Sequence, residues 1–182
     1  MRLFIAIDAG KAATDKIRRL STGMEKSKSI RAIDPDNVHI TLKFLGEVRD
    51  DDVGRVSEAV RTALSGFGSF RMAIEGMGYF GSARNPRVAW LGIGAGRETV
   101  IGMMQKLEQS LTFIRSESRT GQPHITLARL KAPAGAATLI DFVAKNKGVK
   151  VCEVDVKDVR LKRSVLTPTG AQYTDIEVYQ LE

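Results

Sequence analysis

The stretch NVHITLKFLG, residues 37–46, alternates polar and apolar side chains, a pattern typical of a β-strand with one buried face. Its polar face carries His39, Thr41 and Lys43. Its apolar face carries Ile40, Leu42 and Phe44. The tetrapeptide HITL recurs in PHITLARL, residues 123–130, and the two copies contain both histidines of the 182-residue chain. We therefore expect the two strands to be equivalent parts of the fold and to serve one chemical task.

The segments around the two HITL strands follow one order: strand, helix, strand, helix, strand. In the first half we expect strands at 2–7, 37–45 and 70–79, with helices at 13–24 and 53–64. In the second half we expect strands at 87–93, 123–130 and 154–162, with helices at 100–111 and 139–143. A C-terminal strand, 172–181, has no counterpart in the first half.

Sliding the chain by 124 − 39 = 85 positions places each of these elements on another of its own type. The matched order indicates an internal duplication. We expect an α+β fold in one bilobal domain over residues 1–182, with repeats at about 1–80 and 86–165. The antiparallel sheets of two pseudo-symmetric lobes would line a central groove, with the helices outside. Such packing would bring His39 and His124 together across the groove.

The composition limits the classes of protein that fit. The net charge is +7, from 28 Lys and Arg against 21 Asp and Glu, which favours RNA, DNA or a phosphorylated small molecule as the partner. A basic surface without a polyanionic partner is the alternative. Cys152 is the single cysteine, so we expect neither a disulfide framework nor a cysteine metal site. The opening MRLFIAID is too short for a signal peptide, and no apolar run reaches about 20 residues. We expect a cytoplasmic monomer with no membrane partner.

Residues i and i+2 of a strand share a face, so each histidine is expected beside a threonine, Thr41 or Thr126. One imidazole as base and one imidazolium as acid are the groups that in-line cleavage of a phosphodiester requires. Two hydroxyls can stabilise the negative charge on the phosphoryl oxygens. This chemistry needs no metal and no other cofactor. The alternatives are a half-buried strand without catalytic function and a two-histidine metal site.

Four further residues are candidates for substrate binding: Lys43, Arg129, Phe4 and Tyr173. Alternation places Lys43 on the histidine face, where a cation near phosphate would help. Alternation points Arg129 away from His124, although it ends the strand. Phe4 would stack on a base if its face of the sheet lines the groove, and would otherwise belong to the core. The same two alternatives, stacking on a base or belonging to the core, apply to Tyr173. Trp90 is interpreted as core.

Several motifs carry a resemblance to a known family. They are MRLFIAID, HITLKFLG, PHITLAR and a C-terminal S-x-L-x-P-x-G-x-x-Y over residues 164–173. The chain resembles the two-histidine (2H) phosphoesterase superfamily, which is defined by a pair of H-x-[ST]-x motifs in two related lobes. It is most similar to the LigT-like RNA 2′,3′-cyclic phosphodiesterase branch, also described as 2′-5′ RNA ligases.

The resemblance implies hydrolysis of a 2′,3′-cyclic phosphate at an RNA end to a 2′-phosphomonoester. It assigns His39 as the proton donor to the leaving 3′ oxygen and His124 as the base that activates water. Thr41 and Thr126 would hold the phosphoryl oxygens, and Arg129 would lie near the ligand. RNA ends, tRNA fragments and small cyclic nucleotides are the implied substrates. Two other functions stay open: ligation by the reverse reaction, and a basic RNA-binding module without turnover.

Overall fold

The structure is a computed structural model that describes residues 1–22, 24, 27–114, 121–168 and 170–182. The strands are β1 Arg2–Asp8, β2 Ile30–Ala32, β3 His39–Glu47, β4 Phe70–Ser82, β5 Asn85–Ile93, β6 His124–Leu130, β7 Lys150–Val156, β8 Asp158–Thr167 and β9 Gly170–Gln180. The helices are α1 Gly10–Ser21, α2 Val53–Leu64, α3 Arg97–Ser110 and α4 Ala136–Lys145. Thr169, within the C-terminal motif, lies outside the described residues.

The described strands form one antiparallel sheet in the order β7-β4-β5-β6-β3-β1-β8-β9, with β2 also pairing with β6. The order is symmetric about its centre, where β3 meets β6. Outward from there, β1 corresponds to β5, β8 to β4 and β9 to β7. The central pair is Ile40 with Ile125, residues that are 125 − 40 = 85 positions apart. The expected α+β fold with two pseudo-symmetric lobes is confirmed, and the pseudo-two-fold axis passes through this pair.

The two lobes are not the two halves of the sequence. One lobe contains β3, β1, β8 and β9, and the other contains β6, β5, β4 and β7. The last strand of each expected repeat therefore pairs with the first strand of the other repeat: β4 pairs with β5, and β8 with β1. This exchange joins the two halves through backbone hydrogen bonds.

The single strand expected at 154–162 is wrong, because the chain leaves the sheet at Lys157. β7 ends on one side of this residue and pairs with β4, whereas β8 begins on the other side and pairs with β1 and β9. The sequence carries a signal for this break. The buried side chains change phase, from Val156 in β7 to Val159 and Leu161 in β8. Helix α1 is also shorter than expected, since it ends at Ser21 and leaves the buried Met24 beyond it.

Helices cover one face of the sheet and leave the other face to form the groove. The apolar sides of all four described helices join the strands in one hydrophobic core, for example through Ile17, Val60, Met103 and Leu139. Burial of these aliphatic stripes is the main favourable contribution to folding. No helix in the described ranges has both the length and the apolar character needed to cross a membrane.

Candidate active site

Four polar side chains surround the pseudo-two-fold axis on the groove face of the sheet. Because Ile40 pairs with Ile125 on the core side, their chain neighbours point to the opposite face. Continuing this register by one residue in each direction places His39 opposite Thr126, and His124 opposite Thr41. His39 and His124 are then diagonal neighbours across the two strands. Such neighbours have Cβ atoms about 7–8 Å apart, which leaves space for one phosphate between the imidazoles.

One cavity of about 180 Å³ is lined by all four side chains. Its wall also includes residues from the loops before the two strands and from the β8–β9 hairpin, among them Asn37, Gln122 and Tyr173. The two HITL motifs therefore open into a common space, as the duplication predicts. The cavity is large enough for a phosphoryl group with part of its nucleoside, and the rest of a substrate would extend along the groove.

The two imidazoles are held by the same backbone contact. His39 Nδ1 lies 2.8 Å from the carbonyl oxygen of Asn37, and His124 Nδ1 lies 2.7 Å from that of Gln122. A carbonyl oxygen can only accept, so each Nδ1 carries a hydrogen and donates it. Nε2 is therefore the nitrogen that can take or give a proton in the cavity.

Burial is the largest influence on both imidazoles, and it lowers the pKa of each from its ordinary value. The Asn37 carbonyl and the Asp8 carboxylate oppose the lowering of the His39 pKa, while the charges of Lys162 and His124 add to it. At His124 the Gln122 carbonyl opposes the lowering of the pKa, and the Arg129 charge adds to it. Burial therefore favours the neutral form of both imidazoles in the free protein.

Each HITL strand contains a β-bulge directly after its threonine. In β3 the bulge is at Leu42, because Ala6 pairs with Thr41 while Ile5 pairs with Lys43. In β6 it is at Leu127, because Trp90 pairs with Thr126 while Ala89 pairs with Ala128. The two bulges are 127 − 42 = 85 residues apart. An inserted residue reverses the side-chain phase beyond it, so strict alternation fails for the following positions.

This phase reversal decides the positions of Lys43 and Arg129. Lys43, which alternation placed on the histidine face, is among the residues that line the cavity, but its ammonium group is turned toward helix α3. The side chain is 2% exposed and its ammonium group binds the Glu108 carboxylate of α3. Arg129 is instead on the groove side, where it lines the cavity and its charge lowers the pKa of His124. The alternation rule was wrong for Arg129, and the position implied by the family resemblance agrees with the structure.

Aromatic rings surround His39. The centroid of its ring lies 5.0 Å from that of Phe4 and 5.3 Å from that of Tyr173. Phe4 also contacts Phe44, and its ring is 1% exposed although it is outside the main core cluster. Phe4 therefore lies on the groove face, as one expectation stated, but it is covered and supports His39 rather than offering a surface for a base.

The surroundings of His124 are different, and sequence reasoning missed them. The Phe80 ring of β4 meets His124 edge-on at 4.8 Å and lies 5.5 Å from the ring of Trp90. The interpretation of Trp90 as core is wrong, because Trp90 is the cross-strand partner of Thr126 and is only partly buried. Trp90 alternates along β5 with Ala89 and Leu91, which are buried, and this alternation was the available signal. Trp90 and Phe80 form a partly exposed aromatic surface beside His124.

A charged cluster on β1, β8 and β9 was also missed. Lys162 lies 3.0 Å from Asp8 and 2.7 Å from Asp175, and Arg160 lies within 3.1 Å of both carboxylates. Asp8 is the cross-strand partner of His39, whereas the partner of His124 is Gly92. Aromatic rings therefore lie beside both histidines, whereas this charged cluster lies on the His39 side of the groove. Within the described ranges, no group of three or more His, Cys, Asp and Glu side chains is arranged to hold a metal ion.

The chain is similar to proteins named RNA 2′,3′-cyclic phosphodiesterase. One from Methanothermobacter thermautotrophicus is 33% identical, in an alignment that covers 100% of this chain and 99% of the relative. One from Archaeoglobus fulgidus is 33% identical, covering 99% of this chain and 100% of the relative.

Solved structures share the fold. A crystal structure from Thermus thermophilus has a TM-score of 0.84 at 27% identity and covers 100% of this chain and 98% of its own. Escherichia coli LigT, solved as a complex with 3′-AMP, has a TM-score of 0.79 at 22% identity and covers 99% of this chain and 97% of its own. The sequence model described as "LigT like Phosphoesterase" matches residues 7–90 and 93–173. With its two H-x-T strands facing one cavity, this chain belongs to the LigT-like phosphoesterase family.

Proposed function

We propose that the protein hydrolyses the 2′,3′-cyclic phosphate at an RNA end to a 2′-phosphomonoester by general acid–base catalysis. The observation that carries the proposal is the arrangement about the Ile40–Ile125 pair. It directs two imidazoles with free Nε2 atoms, and two threonine hydroxyls, into one cavity. Relatives with the name of this activity align over the whole chain and support the choice of substrate.

The reaction uses one proton transfer at each histidine. His124 Nε2 takes a proton from water as the water oxygen attacks phosphorus on the side opposite the 3′ oxygen. The bond between phosphorus and the 3′ oxygen breaks, and protonated His39 Nε2 gives its proton to that oxygen. The products are a 2′-phosphate and a 3′-hydroxyl, and both histidines have exchanged their protonation states.

The charges around the two histidines support this assignment of acid and base. Asp8 lies across from His39 and favours its protonated form, although burial is the larger influence and lowers the pKa of His39. Among the described residues, no acidic side chain is an influence on the His124 pKa, which burial and Arg129 lower. A bound phosphate is negative and raises the pKa of both imidazoles, and the Asp8 carboxylate acts in the same direction at His39.

The remaining residues bind the substrate or support the histidines in this proposal. Thr41 and Thr126 donate hydrogen bonds to the non-bridging oxygens, whose negative charge grows in the transition state. Arg129 contributes a positive charge at the same cavity. Tyr173 lines the cavity beside His39 and contacts the nucleoside. Phe4 orients His39, and Lys43 has a structural role with Glu108.

The substrate also implies where the protein works. RNA ends with a cyclic phosphate, including tRNA fragments, would be met in the cytoplasm, so the expected cytoplasmic location belongs to this proposal. A monomer is sufficient for it, because one chain supplies both histidines and both threonines to the cavity.

An oligoribonucleotide that ends in 2′,3′-cyclic phosphate, incubated with the protein in EDTA, tests the proposal. We expect the 2′-phosphate isomer as the product. His39→Ala and His124→Ala should each lower kcat by roughly 10²–10⁴-fold, the usual contribution of a general acid or base. The double variant should be little worse than either single variant, because the two groups act as a unit.

Thermal unfolding of each variant is the control for folding. Full activity of either histidine variant, or activity that requires added metal, would contradict the proposed mechanism. Release of a 3′-phosphate would mean that the other phosphorus–oxygen bond breaks. A 2′-5′-linked product from two RNA ends would favour ligation instead.

A further inference from the structure

Two arginines face each other across strands β2 and β6, beside the catalytic cavity. The Cα partner of Arg129 in the β2–β6 ladder is Arg31, so their side chains share a face. Arg129 lines the cavity. Both side chains are exposed, while their chain neighbours Ile30 and Ala128 are buried on the core side. Arg31 is therefore on the groove face, one strand farther from the histidines than Arg129.

Within the described residues, no carboxylate compensates the charges of these two arginines. Directly opposite residues have Cβ atoms about 4.5–5.5 Å apart, and like charges in such a pair are destabilising. Across the part of the chain that the structure describes, neither guanidinium forms an ion pair. Other groove arginines behave differently, since Arg160 binds three carboxylates, those of Asp8, Asp158 and Asp175. An anion between Arg31 and Arg129 would remove the repulsion.

The position of Arg31 also indicates the path that a bound RNA chain would take along the groove. Its guanidinium lies against the β8–β9 turn, where a Cβ added to Gly170 would be 3.3 Å from Arg31 Nη2. The same hairpin carries Tyr173, which lines the cavity beside His39. A chain leaving the cavity past Arg129 therefore reaches Arg31 next, at the edge of the cavity and next to the hairpin.

We infer that Arg31 and Arg129 form a second phosphate site, which binds the phosphodiester on the 5′ side of the terminal nucleoside. This inference rests on the proposed function. It identifies the preferred substrate as an RNA chain of at least two nucleotides and not a mononucleotide. Arginine suits the task because its planar guanidinium binds phosphate oxygens in pairs. Arg31 is a binding residue here and has no part in proton transfer.

The test compares two dinucleotides that both end in 2′,3′-cyclic phosphate. One has an ordinary phosphodiester between its nucleosides, and the other has an uncharged methylphosphonate at that place. Both keep the same bases, so base stacking does not separate them. Arg31→Gln is the test variant. Arg19→Gln is the matched control, because Arg19 is an exposed arginine on α1 outside the groove.

We expect the wild type to hydrolyse the charged dinucleotide with a kcat/KM about tenfold higher than that for the methylphosphonate dinucleotide. This is the usual scale for a charge-assisted hydrogen bond. Arg31→Gln should lower this ratio through KM, because only Arg129 then binds the phosphate, whereas Arg19→Gln should keep it. The salt dependence should change as well. The slope of log affinity against log salt concentration for the charged dinucleotide is negative and should become less steep by about 0.7 in Arg31→Gln. This is the value for one lost phosphate contact on a single strand.

Equal kcat/KM values for the two dinucleotides in the wild type would overturn the inference. An equal loss on both dinucleotides in Arg31→Gln would overturn it too, because it would mean a structural role. If the wild type hydrolysed neither dinucleotide, the proposed function would fail, and calorimetric binding of the same pair would still decide the phosphate site. Tighter binding of the charged dinucleotide by the wild type that weakens in Arg31→Gln would support the site, and equal binding of the two dinucleotides by the wild type would overturn it.

Discussion

At the scale of single residues, the site depends on two backbone carbonyls as much as on the two imidazoles. The Asn37 and Gln122 carbonyls each accept a hydrogen bond from a histidine Nδ1. This contact fixes the tautomer and turns Nε2 toward the cavity. Because the carbonyl comes from the residue two positions before the histidine in both motifs, each strand orients its own catalytic group.

The pKa directions predict the pH profile. His124 must be neutral to act as base, so activity falls as pH drops below its pKa. His39 must be protonated to act as acid, so activity falls as pH rises above its pKa. Burial lowers the pKa of both in the free protein, so the bell-shaped profile of kcat/KM should peak below about pH 6.5. Initial rates at constant ionic strength measure the profile.

Asp8→Asn provides the control for this assignment. The Asp8 charge supports protonated His39, so its removal should lower the His39 pKa further and move one limb of the profile to lower pH. The other limb, which reports His124, should stay in place. An unchanged profile in Asp8→Asn would mean that His39 is not one of the two titrating groups.

At the scale of elements, the equivalent bulges at Leu42 and Leu127 shape the groove. Without them, Lys43 would point into the groove and Arg129 would point into the helix layer. With them, Lys43 joins α3 through Glu108 and Arg129 reaches the cavity. β-Bulges often redirect side chains next to active sites. Here the bulge in β3 turns the Lys43 ammonium group away from the groove, and the bulge in β6 turns Arg129 toward it.

In strand β4, Gly78 has no side chain and leaves space for the aromatic surface beside His124. A Cβ there would overlap the ring carbons of Trp90, the cross-strand partner of Gly78. Gly78→Ala should therefore lower the free energy of unfolding by about 1–3 kcal/mol, as overpacking usually does, and raise KM for RNA by displacing Trp90. Denaturant unfolding and initial rates measure the two effects.

Gly54→Ala on α2 is the matched control, since a Cβ added there has no atom within 4 Å. It should be neutral or stabilise the protein by up to about 1 kcal/mol, because alanine favours a helix more than glycine does. Gly78→Ala with wild-type stability and wild-type KM would show that the Trp90 ring is not confined at this position.

At the scale of the whole molecule, the exchange of strands makes the two halves depend on each other. Both neighbours of β4, which are β5 and β7, come from the second half of the chain. β1 has β3 from its own half and β8 from the other. A first half alone therefore keeps only the β1–β3 pair, and such a two-stranded unit is marginal in water.

Separate chains of residues 1–83 and 84–182 test this dependence. We expect the first fragment alone to show no cooperative thermal transition by circular dichroism. An equimolar mixture should recover sheet structure and activity, because the interface restores the β4–β5, β4–β7 and β1–β8 pairs. The intact chain at the same concentration is the reference. A cooperative transition in the isolated first fragment would contradict the prediction.

Features that depend on local periodicity and on repetition could be predicted from the sequence. Alternation in HITL placed each histidine with its threonine, and the 85-residue spacing indicated two equivalent strands in a symmetric α+β fold. The type of most elements followed from the same patterns. These features are decided within a few residues, by which side chains share a face and which must be buried.

Only the tertiary structure decided which strands pair and where the phase of a strand changes. The exchange of β4 and β8 between lobes is a choice among partners distant in the chain, which no local pattern encodes. The bulges at Leu42 and Leu127 depend on the register with β1 and β5. They turn the Lys43 ammonium group toward α3 and bring Arg129 into the groove. Arg31 and Phe80 entered the site for the same reason, because a cross-strand neighbour exists only after the sheet has formed.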